Sequence, residues 1–156
     1  MKKLWDTLMG QLKTGTSPEK LALTCAIGMV VGTLPIWGIT TGLCFILAAL
    51  FRVNIIILQM VNYAIYPLQL LLILPFIKAG TYLFQVNPLP YSLDQLISLF
   101  QTDFWKTMEE VGVALSLGVG VWALVSIFVF TGVYSGTLIL FKKWQEQLRQ
   151  RELKSE

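Results

Sequence analysis

Between Lys20 and Arg52 the chain carries no charge, and the length of that stretch constrains every fold open to it. Residues 21–51, LALTCAIGMVVGTLPIWGITTGLCFILAALF, would run roughly 46 Å as one straight helix, against a hydrocarbon core of about 30 Å. Two full crossings would need about 20 residues each. The stretch is too long for one upright span and too short for a comfortable pair. Near its middle, Pro35 is followed three residues later by Gly38, a place where a helix breaks. The spacing predicts a helical hairpin that dips into a membrane and returns to the side it came from. Non-helical backbone at that depth is tolerated only within protein or beside a water-filled cavity. The tip, residues 34–38, is therefore the candidate functional site.

Composition sets the solvent. Hydrophobic residues make up 55% of the chain and mean hydropathy is +0.67, with charges crowded into the ends and one central segment. Residues 55–77 and 111–141 are also uncharged and long enough to cross a bilayer. The expected fold is an all-α integral membrane protein: a re-entrant, broken helical hairpin plus two transmembrane helices, with amphipathic interfacial helices. Histidine is absent, which removes the commonest general base and metal ligand. Cys25 and Cys44 both lie inside the hairpin, where a thiol usually serves as a small apolar group. No carboxylate lies within a predicted span, against the pattern of proton-coupled transporters. No catalytic residue, cofactor or metal site is expected, and no nucleic-acid binding, because the net charge of +3 sits mostly in the tails.

In order, residues 1–14 suit an amphipathic interfacial helix, with Leu4, Leu8 and Leu12 on one side and Lys2, Lys3, Asp6 and Lys13 elsewhere. The membrane domain covers 17–141. Ser17, Pro18 and Glu19 form a helix start by capping, by proline at the first position and by the dipole. Gly28 and Gly32, then Gly38 and Gly42, stand four apart on either side of Pro35, as two legs packed on each other would require. Arg52, Val53 and Asn54 link to the span 55–77, which contains Pro67 and Pro75. Gln59, Asn62, Tyr66 and Gln69 recur there at helical spacing; such residues hydrogen-bond across helices or line a polar path. Residues 78–110 form an external linker whose second amphipathic helix opens at Ser92. In the span 111–141, Gly120, Gly132 and Gly136 offer close-packing positions. Residues 142–156 are a basic cytoplasmic tail.

Both ends of the chain are rich in lysine and arginine, whereas the linker balances Lys78 and Lys106 against Asp94, Asp103, Glu109 and Glu110. The positive-inside rule places both termini in the cytoplasm and 78–110 outside. Two crossings satisfy this only if 21–51 returns to the cytoplasmic side. Four crossings, two of them short, satisfy it too.

The stretch from Ser17 to Asn54 resembles the signature of a bacterial membrane family, domain of unknown function 2062. The resemblance lies in Ser17, Pro18, Gly28, Gly32, Pro35, Gly38, Arg52 and Asn54, and extends through Pro67, Gly80, Leu89, Pro90, Trp105 and the glycine-rich last span. Where members of the family carry Asn before the matched proline, this chain has Tyr66. The resemblance implies a location in the bacterial cytoplasmic membrane and no established activity. Fusions of some members to glycosyltransferase domains imply a link to lipid-borne sugars.

Two functions follow. In one, the break binds or moves an anionic lipid such as a polyprenyl phosphate carrier. The start of the second leg offers N–H groups and a positive dipole end. Thr33, Pro35, Trp37, Gly38, Thr40 and Thr41 build the tip, and Arg52 either attracts the headgroup at the rim or snorkels to the surface as a positive-inside marker. In the other, the protein is a non-catalytic scaffold or partner subunit for an envelope or glycosyltransferase complex. Either way a homo-oligomer is expected, burying the glycine faces. Topology is directly testable. External thiol labelling should reach a cysteine placed at Gln95 or Gln101, and should miss one at Lys13, Arg52 or Gln150. Labelling at position 52 from outside would defeat the hairpin.

Overall fold

Local chemistry accounts for where each helix starts and stops. The computed structural model describes residues 6, 7, 10, 16–36, 38–86, 98 and 102–153. They form α1 (Pro18–Gly32), α2 (Thr40–Phe51), α3 (Ile55–Leu83) and α4 (Phe104–Leu153), with no strand among them. At the start of α1, Ser17 Oγ accepts from Lys20 N–H at 3.4 Å, and Pro18 takes the first helical position. The link between α2 and α3 closes one helix and opens the next. Arg52 adopts a left-handed conformation (φ 51°), Val53 N–H donates back to Ala48 O, and Asn54 Oδ1 accepts from Ile56 and Ile57 N–H at 2.9 and 3.4 Å. α3 ends in a left-handed cap at Gln85 (φ 53°), with Val86 N–H bonded to Thr81 O and Gln85 N–H to Tyr82 O. Asp103 Oδ1 accepts from Lys106 N–H at the front of α4.

Two boundaries differ from the sequence expectation. The span expected at 55–77 continues through Pro67, Pro75 and exposed Lys78 to Leu83, because a charged side chain does not interrupt backbone hydrogen bonding. The span expected at 111–141 lies within one helix of 50 residues, Phe104–Leu153, which starts inside the expected linker and runs on through the tail to Leu153, about 75 Å long. The helices expected at 1–14 and from Ser92 onward lie outside the described residues, save residues 6, 7, 10 and 98.

α1 and α3 each pack against the other three helices. One core cluster joins Leu21, Ala22 and Cys25 of α1 to Ile57 and Val61 of α3 and Phe141 of α4. A second joins Ile27 and Val31 to Cys44 and Ala48 of α2 and Leu58 of α3. The exposed pair Glu19–Lys142, 3.1 Å apart, lies at the same end as the first cluster. The Glu19 carboxyl is held below its ordinary pKa by a backbone hydrogen bond first and by Lys142 second. The starts of α1 and α3 thus share an end with the region of α4 around Phe141. The chain leaves that end in α1, and α2 brings it back.

The glycines divide sharply. A Cβ on Gly28 would lie 2.8 Å from Val61 Cβ, and one on Gly32 would lie 3.1 Å from Ile65 Cβ and 3.2 Å from Asn62 O. These two let α1 approach α3 rather than the second leg of the hairpin. Gly80 would meet the Leu117 carbonyl carbon at 2.6 Å, and Gly118 lies against Ile77, so a reciprocal contact joins α3 to α4. At Gly42, Gly120, Gly132 and Gly136 a Cβ would meet nothing within 4 Å; the close contacts expected of them are not made among the described residues. Gly80→Ala should therefore lower stability by about 1–3 kcal/mol, because backbone must move to admit the methyl. Gly136→Ala should leave stability unchanged or slightly raised. Unfolding midpoints in detergent check both.

Candidate functional site

The seven residues between α1 and α2 are the break in the fold. Thr33, Leu34 and Pro35 are buried, so their polar groups need partners within the protein. The backbone bends back on itself first: Thr33 N–H bonds Met29 and Val30 O, and Leu34 N–H bonds Val31 O. Thr33 Oγ1 donates to Val30 O at 2.9 Å and accepts from Trp122 Nε1 of α4 at 3.3 Å. The carbonyl of Leu34 accepts from Gln69 Nε2 at 2.7 Å, and that of Ile36 from the same nitrogen at 3.4 Å. Gln69 is 1% exposed and stands midway along α3. That bond fixes the depth of the break: it sits level with the middle of a helix of 29 residues.

Beyond the break, Gly38 takes φ +86° and turns the chain into α2, a conformation that costs glycine little. α2 then begins without a side-chain cap. Its first intrahelical bond is Leu43 N–H to Ile39 O, which leaves the earlier N–H groups of its first turn to seek acceptors elsewhere. The start of α2 borders a cleft of about 330 Å³ lined by Gly38, Thr40 and Thr41 and by Tyr63 and Tyr66 of α3. None of the described residues that line it is charged, and the positive end of the α2 dipole lies beside it. Gln59 Nε2 reaches Thr41 O at 3.4 Å, and Asn62 Nδ2 donates to Gln59 Oε1 at 3.4 Å. The polar flank of α3 is thus turned onto the hairpin.

Of the residues singled out in the sequence, Gly38, Thr40 and Thr41 come together at the cleft. Thr33 and Pro35 face the interior instead, and Trp37 lies outside the described residues. Arg52 is exposed at the far end of α2, about 18 Å from the break by helix length. Sequence reasoning missed Gln69 as the clamp on the break, Tyr63 and Tyr66 as the cleft wall, and Trp122 as the partner of Thr33. The helical spacing of Gln59, Asn62, Tyr66 and Gln69 in an apolar span was the available signal. Both cysteines are free and buried, Cys25 in the first core cluster and Cys44 in the second. No cluster of three or more metal-binding side chains occurs among the described residues. The described residues of the cleft carry threonine and tyrosine hydroxyls, which can donate to an acceptor.

The family model described as an uncharacterized protein conserved in bacteria, DUF2062, matches residues 4–150. No curated protein and no solved structure matches the chain.

The bond between α4 and the break can be measured. Trp122→Phe should destabilise the protein by about 0.5–1.5 kcal/mol, and so should Thr33→Val. The double variant should cost less than the two losses added together, because both remove one shared bond. Strict additivity in thermal unfolding would show that the bond contributes nothing.

Proposed function

We propose that this chain, which belongs to the DUF2062 family, is a non-catalytic, multi-pass protein of the bacterial cytoplasmic membrane. It binds the headgroup of an anionic lipid, of the polyprenyl phosphate kind, at its helix break, and so helps the lipid cross. The observation that carries this reading is the start of α2 without a side-chain cap, beside a cleft lined by Gly38, Thr40, Thr41, Tyr63 and Tyr66, where the break lies level with the middle of α3. Helix starts take anions through free N–H groups and the dipole. A site at that depth serves a headgroup in transit rather than one resting at the surface.

The membrane setting is supported by two helices, α3 and α4, that are long and apolar enough to cross a bilayer. Only 22% and 11% of their most apolar 18-residue stretches is buried within the chain. Leu71, Leu74, Ile127 and Phe128 are among the large side chains left exposed, a surface that water does not tolerate at such extent. α1 and α2 have 15 and 12 residues, about 22 and 18 Å of helix, each short of a core of about 30 Å. That favours the re-entrant hairpin over four crossings. Lys20 and Lys142 share the end to which α2 returns, which the positive-inside rule assigns to the cytoplasm.

A second reading, scaffold or partner subunit, draws on Gly120, Gly132 and Gly136, which have open space above them on the exposed apolar length of α4. Such positions suit a partner helix, in a second copy of this chain or in an envelope or glycosyltransferase protein.

Thr41 is the residue on which to separate the two readings, because Thr40 is only 3% exposed and a charge there would threaten folding. Thr41→Asp sets a carboxylate at the anion site while remaining compatible with a helix start. It should fold and lose anionic lipid by about tenfold or more, whereas neutral Thr41→Asn keeps it. Lipid retained on purification, read by mass spectrometry, checks this. Equal retention by both variants would move the scaffold reading to first place.

A further inference from the structure

Gly28, Gly32, Gly80 and Gly118 each meet a neighbouring helix at contact distance, whereas a Cβ on Gly132 or Gly136 would meet nothing within 4 Å. Gly132, Gly136, Ile139, Lys143 and Glu146 follow one another along α4 at alternating steps of four and three, which sets them in one seam. All five are exposed.

The hydroxyls of α4 single out the same place. Thr107, Ser116, Ser126, Thr131 and Thr137 each donate to a backbone carbonyl three or four residues earlier. Ser135, exposed beside Gly136, is the exception: it makes no hydrogen bond with any described residue. It lies within the uncharged length 111–141, where lipid offers a hydroxyl no water to bond. Its partner must come from outside the chain. Both the hydroxyl and the charges of the seam are self-complementary. A hydroxyl donates and accepts, so the same group on a facing copy can answer it. Lys143 and Glu146, opposite in charge and about one turn apart, offer a facing copy the same pair that they would receive. A different protein would have to supply a matching hydroxyl and matching charges at the same depths. A second copy inserted in the same direction brings both.

We infer that α4 is the contact between two copies of this chain, packed parallel through Gly132 and Gly136 about a two-fold axis normal to the membrane. The glycines supply the close approach of the backbones, and Ser135 hydrogen-bonds across the contact. Past the apolar length each Lys143 pairs with the partner's Glu146. That pair sets direction rather than strength, because an exposed ion pair contributes little. The inference rests on the membrane reading and deepens the second reading above by naming the partner; the cleft takes no part in it.

The test is the oligomeric state of the full chain in phosphatidylcholine liposomes, counted by single-molecule photobleaching over a range of protein-to-lipid ratios. The wild type should form dimers, and Gly136→Leu should raise their dissociation constant by about tenfold or more. Gly136→Ala serves if the leucine variant fails to fold. Ser135→Ala should weaken the dimer by about threefold. Gly120→Leu should leave it unchanged: Gly120 also has open space above it, but it stands about a third of a turn round α4 from Gly132. Direction is read at Gln150, exposed and four residues beyond Glu146 in the same seam. A bismaleimide should link two copies of Gln150→Cys, while the wild type, whose Cys25 and Cys44 are buried, gives no link. Monomers at every ratio overturn the inference and leave the face to lipid or to another protein. A dimer that survives Gly136→Leu, or that Gly120→Leu dissolves equally, is held elsewhere and overturns it too. A dimer in which Gln150→Cys forms no link is not parallel through this seam, with the same consequence. A chain that fails to enter liposomes would remove the membrane reading itself.

Discussion

A backbone that leaves the helix inside a protein must find other partners for its carbonyls, and here Gln69 provides them. Its bonds to Leu34 and Ile36 hold the break against the middle of α3, and the rest of the arrangement depends on that attachment. With the tip fixed at this level, α1 and α2 run back along α3 to the end where Glu19 meets Lys142. Thr33 receives Trp122 from α4 on the way, so the break is tied to both long helices. The cleft lies where α2 starts without a side-chain cap of its own.

The two long helices play different parts. α3 is the post on which the hairpin is mounted. Gly28 and Gly32 bring α1 to within backbone distance of it, and Asn54 caps its start immediately after α2 ends. Past the break, α3 meets α4 closely through the mutual fit of Gly80 with Leu117 and Gly118 with Ile77. The apolar residues left bare, such as Leu71, Leu74 and Phe128, match a lipid environment or a neighbouring helix. The polar flank of Gln59, Asn62, Tyr66 and Gln69 is spent on the hairpin and its cleft.

Much of this was legible in the sequence because it follows from local chemistry. Ser17, Pro18 and Glu19 announce a helix start, since a cap and a dipole act over one turn. Pro35 and Gly38 announce the break, since one restricts φ and the other tolerates a positive one. Apolar length announces α3 and α4. Spacing alone did not reveal which glycines are contacts. Gly28 and Gly42 look alike as members of pairs four apart, yet one is pressed against Val61 and the other faces open space. The choice depends on how far each helix is rotated about its axis, and no local pattern records that.

By itself, then, the sequence determined the four helical stretches, the place of the break and the lack of charge around it, because each depends on residues within a turn or two of one another. The tertiary structure decided the partners. Gln69 lies 35 residues from the carbonyl it clamps, and Trp122 lies 89 residues from the hydroxyl it meets. A side chain that satisfies a distant backbone group leaves no periodic trace in the chain, since its value comes from burial and geometry that exist only once the helices have packed. The same holds for Arg52. In the sequence it closes the uncharged stretch, but folding sends it to the far end of α2 as a left-handed cap, away from the cleft lined by Gly38, threonines and tyrosines.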